Sequence, residues 1–165
     1  MKLPAKRACY FYGFLICLLL VAAAVYLQLE ESLAPCPLCQ LQRIVFTVLG
    51  LVFLFAALKN PSPRATKIYG LIIFWLAIIG GGVAIRQLWL QNTPHVLGEN
   101  CGVGLNYLLH TLPLTDAIKT ILQGTGDCAE VHWQFLGLTL PGWSLVGFIA
   151  AGILGVWQNF RDGIK

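Results

Sequence analysis

Two thiols separated by two residues can close into a disulfide and reopen, so Cys36-Pro37-Leu38-Cys39 is the first place in this sequence to look for chemistry. Proline is tolerated in the first turn of a helix, where its missing N–H costs nothing, and Pro37 therefore predicts a helix start with Cys36 near the cap. Cys39 then falls among the free backbone N–H groups of that turn, where a thiolate is stabilised and becomes a better leaving group and electron donor. Arg43 follows four residues later on the same helical face and adds a cation. The plainer readings are a structural C-x-x-C disulfide and an Arg43 that only snorkels to an interface.

Four other cysteines are present. Cys101 stands between Asn100 and Gly102, and Cys128 follows Gly124-Thr125-Gly126-Asp127, so both are expected in accessible loop positions. Cys36, Cys39, Cys101 and Cys128 allow three pairings, with the short spacing favouring Cys36 with Cys39. A staple holding the loop together is the structural alternative for Cys101 and Cys128, contributing roughly 3 kcal/mol. Cys9 and Cys17 lie in or beside an apolar run and are expected to act as small hydrophobes. The cysteines are too widely spaced for a zinc site, and His95, His110 and His132 have no close partner, so no metal is expected. Gln40 stands where a covalent haem motif needs His.

The elements that position these residues follow from composition. Hydrophobic residues are 58% of the 165 and charged residues 11%, against about a quarter charged in an average soluble domain. Uncharged runs at Ala8 to Leu29, Ile44 to Leu58, Ile68 to Ile85 and Trp133 to Phe160 predict an all-α, four-transmembrane-helix bundle. The second run is short, and extending it back through Arg43 to Gln40 makes it long enough to cross. A single domain over 1–165 results, with spans at about 9–29, 40–58, 68–89 and 142–160 and outer loops at about 30–39 and 90–141.

Eight of the eleven Lys and Arg residues flank one side: Lys2, Lys6, Arg7, Lys59, Arg64, Lys67, Arg161 and Lys165. By the positive-inside rule both termini are expected in the cytoplasm, with the four loop and helix-end cysteines outside, where disulfides persist. Tyr26, Trp89, Trp133 and Trp143 fit the outer interface and Tyr10, Tyr12, Tyr69 and Trp157 the inner one, whereas Trp75 falls well inside span three. Reading the first span as a cleaved signal peptide is the lesser alternative, because its apolar run is long for one. The net charge of +4 is spread along the membrane flanks, and no nucleic-acid motif accompanies it.

The outer segments differ in size. Glu30 to Gln40 is short, whereas Gln91 to His132 is long, and loops of that length are usually functional or disordered. Within it Leu114, Ile118, Ile121 and Leu122 share a helical face behind Thr115-Asp116, predicting a short amphipathic helix that lies on the membrane surface or packs on the bundle end. Gly147, Ala151 and Gly155 in span four, and Ala77, Gly81 and Ala84 in span three, allow close helix contact.

With these residues in view the chain resembles the DsbB family of bacterial disulfide-bond-forming membrane proteins, nearly end to end. The resemblance is carried by Pro35-Cys-Pro-Leu-Cys39 with Arg43, by Cys101, by Asp127-Cys-Ala-Glu130, and by Trp133-x-Phe-Leu-Gly137 with Pro141-x-Trp143. It implies an inner-membrane thiol:quinone oxidoreductase that reoxidises a periplasmic thioredoxin-fold oxidase of the DsbA type, as in the family's known system that keeps the bacterial periplasm oxidising. Carried onto this chain, the partner would attack a Cys101–Cys128 disulfide at Cys101, the resulting dithiol would reduce Cys36–Cys39, and Cys39 would pass electrons to ubiquinone or menaquinone beside Arg43. Arg86 and Trp133 are further candidates for quinone contact. A quinone reductase of the vitamin K epoxide reductase type is a second reading, although that family carries its C-x-x-C on the last span of the bundle. A non-catalytic membrane subunit with structural disulfides is a third.

Overall fold

The computed structural model describes residues 6–30, 36–59, 61–92, 110, 113–123 and 134–161. Four helices carry the fold: α1 (Lys6–Glu30), α2 (Pro37–Lys59), α3 (Pro63–Asn92) and, after a short helix α4 (Leu114–Gln123) and a two-stranded hairpin, α5 (Leu140–Arg161). All four are long and apolar enough to cross a membrane, so the chain is a multi-pass, four-helix membrane protein. Leu18, Leu19, Ile79, Trp75 and Ile153 point out of the bundle, which suits lipid and would not suit water. Trp75, deep in its span, thereby belongs to the lipid-facing surface.

Proline opens three of the helices: Pro37 and Pro63 are the first residues of α2 and α3, and Pro141 is the second of α5. The helices also run past the apolar stretches. α2 begins at Pro37 and not near 40, α3 covers Pro63–Asn92 and not only 68–89, and α5 begins at Leu140. Hydropathy marks where a helix enters hydrocarbon, whereas the backbone hydrogen bonds continue into the interface.

Packing is closest between α3 and α5 and between α1 and α2. At Gly80 of α3 the ring of Phe148 from α5 occupies the place a side chain would take, and a Cβ on Gly155 would stand 3.0 Å from the carbonyl oxygen of Gly70. Phe148 in turn stacks on Phe46 of α2, centroids 3.9 Å apart and planes 12° from parallel. Tyr10, Leu49, Phe53 and Ile73 complete this central core. A separate cluster sits at the C-x-x-C end: Cys36, Leu38, Val83, Leu90 and Ile121. Ile121 belongs to α4, so this amphipathic helix packs onto the bundle end at that point, while Thr115, Asp116, Ile118 and Lys119 are exposed.

Inside the segment expected as one outer loop, Gln134–Phe135 (β1) pairs antiparallel with Leu138–Thr139 (β2). Leu136 and Gly137 make the turn with φ of 53° and 79°. Two positive φ values are what a tight hairpin requires, and Gly137 was its one visible signal. Leucine is an uncommon residue in that region, and here it is exposed.

Candidate active site

Cys36 caps α2. Its carbonyl accepts the first helical hydrogen bond, from Gln40 N at 3.1 Å, and its Sγ accepts the N–H of Cys39 at 3.3 Å. This is the geometry of an N-cap residue whose side chain serves the third helical N–H. One of the helix-end N–H groups, that of Cys39 itself, is thus directed at Cys36 Sγ. Cys39 still lies in the first turn, where the helix dipole favours an anion.

The two sulfurs stand 2.8 Å apart. A disulfide bond is about 2.05 Å long, so closure needs a movement of less than about an ångström. Cys36 is buried and Cys39 half-buried.

The donor that reaches Cys39 comes from another helix. Gln87 of α3 presents its Nε2 at 2.9 Å from Cys39 Sγ and 3.4 Å from Cys36 Sγ. Its Oε1 accepts a 2.7 Å hydrogen bond from Nε2 of Gln42, one helical turn beyond Cys39 on α2. Both amides are buried. Neither glutamine was singled out in the sequence; the only signal was an uncharged polar residue in an apolar span, which costs free energy unless it is paired.

Arg43 points toward α1. It donates Nη2 to the carbonyl of Ala24 at 2.8 Å and Nη1 to Oε1 of Gln28. The last turn of α1 has no basic residue of its own, so Arg43 supplies the cation that complements its C-terminal dipole. Structural anchor and site residue are thus the same side chain, because Arg43 also lines a cavity.

That cavity, about 270 Å³, lies between α1, α2 and α5. Its walls are apolar, with Leu20, Leu27 and Phe46 among them, and its polar groups are Cys39, Gln42, Arg43 and Ser144. Phe135 of the hairpin and Trp143 of α5 close one side, tied together by a 3.1 Å hydrogen bond from Trp143 Nε1 to the Phe135 carbonyl. The hairpin is also held to α3, where Thr139 donates to Gln91 Oε1 at 3.0 Å. Arg86 is not a lining residue; its guanidinium lies 4.6 Å from the ring centre of Trp89.

The structure thus brings Cys36, Cys39 and Arg43 to one place. Cys101, Cys128, Trp133, His95 and His132 lie outside the described residues, and His110 is exposed. Cys9 and Cys17 are buried in α1, away from this site.

The family described as "Disulfide bond formation protein DsbB" matches residues 6–158. A protein of Nitrosococcus oceani named "Disulfide bond formation protein B" is 46% identical over 157 residues, covering 95% of this chain and 93% of its own. One of the same name from Hahella chejuensis is 48% identical over 153 residues, 92% of this chain and 91% of the relative. Another, from Xylella fastidiosa, is 46% identical over 156 residues, 94% and 90%. No solved structure matches. With a C-x-x-C poised for closure at the end of a four-helix membrane bundle, the chain belongs to the DsbB family of disulfide bond formation proteins and is a membrane disulfide-forming oxidoreductase.

Proposed function

We propose that this protein is a thiol:quinone oxidoreductase of the bacterial inner membrane, reoxidising a periplasmic DsbA-like oxidase. The observation that carries the reading is the cavity beside Cys39. An apolar slot with one cation, one hydroxyl, one amide and a sulfur fits the flat ring of a quinone, ubiquinone or menaquinone, with Arg43 and Ser144 available to its oxygens and Leu20, Leu27 and Phe46 to its carbon faces. A bound quinone supplies the acceptor for two electrons and two protons.

The residues of the chain do the rest. The partner's thiolate attacks Cys101 Sγ of a Cys101–Cys128 disulfide, forming a mixed disulfide and releasing Cys128 as thiolate; the partner's second thiol then displaces Cys101 and leaves oxidised. One thiolate of the new dithiol attacks Cys36 Sγ, and the electron pair of the Cys36–Cys39 bond leaves on Cys39 Sγ. The second thiol completes the exchange. Cys36 and Cys39 then lose two electrons and the one proton still held on Cys36 as their disulfide reforms, and the second proton for the acceptor comes from the medium. Ile121 lies against the Cys36 cluster, and the seven residues from it to Cys128 span at most about 25 Å, long enough for Cys128 to approach the C-x-x-C.

The charge asymmetry of the sequence supports the orientation, with the C-x-x-C end periplasmic and both termini cytoplasmic. The test is to mix the purified protein with a reduced DsbA-type oxidase and a soluble quinone and follow quinone absorbance. Wild type should consume quinone, and Cys39→Ala and Cys101→Ala should not. Cys101→Ala should still accept electrons from a small dithiol at Cys36–Cys39. A wild type that leaves the quinone unreduced would overturn the reading.

A further inference from the structure

Two buried primary amides in one apolar bundle end demand an explanation. Each glutamine brings two N–H donors and a carbonyl, and burying such groups is unfavourable unless they are hydrogen-bonded. Gln42 and Gln87 are 4% and 3% exposed, and their hydrogen bonds form a chain with a direction. Gln42 Nε2 donates to Gln87 Oε1, which occupies the acceptor of Gln87 and turns its donor, Nε2, onto the sulfurs.

Neutral thiols accept hydrogen bonds weakly, whereas a thiolate accepts them strongly. Cys39 Sγ takes the shorter contact from Gln87 Nε2, 2.9 Å, and lies 2.8 Å from Cys36 Sγ. Cys36 Sγ holds the longer contacts, 3.3 Å to Cys39 N and 3.4 Å to Gln87. Cys39 is also the sulfur on the cavity wall. The shorter amide contact thus falls on the atom that must carry negative charge.

We infer that Gln87 is a catalytic residue that donates its amide N–H to the Cys39 thiolate, and that Gln42 is the positioning residue that holds this amide donor-first. When the Cys36–Cys39 bond breaks, its electron pair leaves on Cys39 Sγ, and the N–H of Gln87 stabilises that anion without transferring its proton. The same hydrogen bond maintains the thiolate until Cys39 is reoxidised. The inference rests on the proposed relay only for naming Cys39 as the leaving group. The reverse orientation of the two amides would point carbonyl oxygens at the sulfurs, hold the S–H form and give the opposite sign.

The sign can be measured without any quinone. Full-length protein in detergent, reduced, is exposed to iodoacetamide across a pH series, and Cys39 alkylation is read by mass spectrometry of its peptide. In Gln87→Met, which keeps chain length and loses the donor, the pH midpoint should rise by about one unit, a tenfold loss of thiolate at neutral pH. Gln42→Leu should shift it the same way by less, and the Gln42→Leu/Gln87→Met double variant no further than Gln87→Met alone. Gln87→Leu provides a second test of the donor should the methionine variant fail to fold, with circular dichroism reporting the helices. A midpoint that stays or falls in a folded Gln87 variant overturns the inference, as do additive shifts in the double variant. Quinone consumption by the wild type is scored separately, so failure of the electron acceptor and failure of the amide chain give different results.

Discussion

The two ends of the bundle use the same residue types to different ends. At each, an arginine ties α1 to α2 by donating to a carbonyl near the end of the other helix: Arg43 to Ala24 at the sulfur end, Arg7 to Ala57 at 3.1 Å at the opposite end. At each, glutamine is buried. Gln42 and Gln87 are paired with one another and with sulfur, whereas neither amide atom of Gln158, 2% exposed, has a hydrogen-bond partner among the described residues. Arginine anchoring is therefore a general device of this fold. The directed amide chain is particular to the end where bonds are made and broken.

Arginine substitutions should separate anchor from site most strongly. Arg43→Leu removes two hydrogen bonds from a charged, half-buried donor and is expected to cost about 2–4 kcal/mol of stability. It should also lower quinone consumption by at least about tenfold, because the proposed charge-assisted contact to the quinone is lost. Arg7→Leu, cutting one equivalent tie at the other end, should cost about 1–2 kcal/mol and leave turnover per folded molecule unchanged. Thermal unfolding in detergent beside the absorbance assay checks both. Equal losses of turnover in the two variants would mean that Arg43 acts only as an anchor.

The amide pair offers a second, smaller separation. Gln42→Leu leaves Gln87 Oε1 without its donor, and Gln87→Leu leaves Gln42 Nε2 without its acceptor, so each single change should cost about 1–2 kcal/mol. Replacing both removes both orphaned groups, and apolar side chains of similar size should recover most of that stability. The slowed chemistry should not recover. A double variant that is more stable than either single one, yet no more active, would show that the pair is retained for sulfur and not for folding. Unfolding midpoints of the four proteins decide it.

What could be read from the sequence was whatever depends on local order. Pro37 placed the C-x-x-C at a helix start, and four apolar runs with basic flanks implied the bundle, because helix entry and hydrophobic length are one-dimensional properties. Cys36 near the cap was legible in the same way, and the structure makes it the N-cap. That its sulfur takes the N–H of Cys39 depends on the Cys36 rotamer, which the sequence does not show. Gln87 was invisible because its partners lie on α2, far along the chain, and a lone glutamine in a span says nothing about who meets it. Arg43 was legible as a cation near sulfur, but its bonds to Ala24 and Gln28 required the packing of α1. The hairpin was missed because Leu136 adopts a conformation that turn signals reserve for Gly, Asn or Asp.

Gln158 gives the smallest effect and the opposite sign. Burying an amide without partners carries a desolvation penalty of about 1–3 kcal/mol, and none of the described residues offsets it. Gln158→Leu keeps a similar volume and removes both polar atoms, so stability should rise by about 1 kcal/mol, read as a higher unfolding midpoint in the same detergent. Turnover should not change, since the residue lies at the end of the bundle away from the sulfurs. The same chemical substitution, glutamine to leucine, is thus expected to stabilise at one end and to destabilise and slow the enzyme at the other. A loss of stability at Gln158 would mean that this amide too is held by a partner, and the contrast between the two ends would reduce to their sulfur chemistry alone.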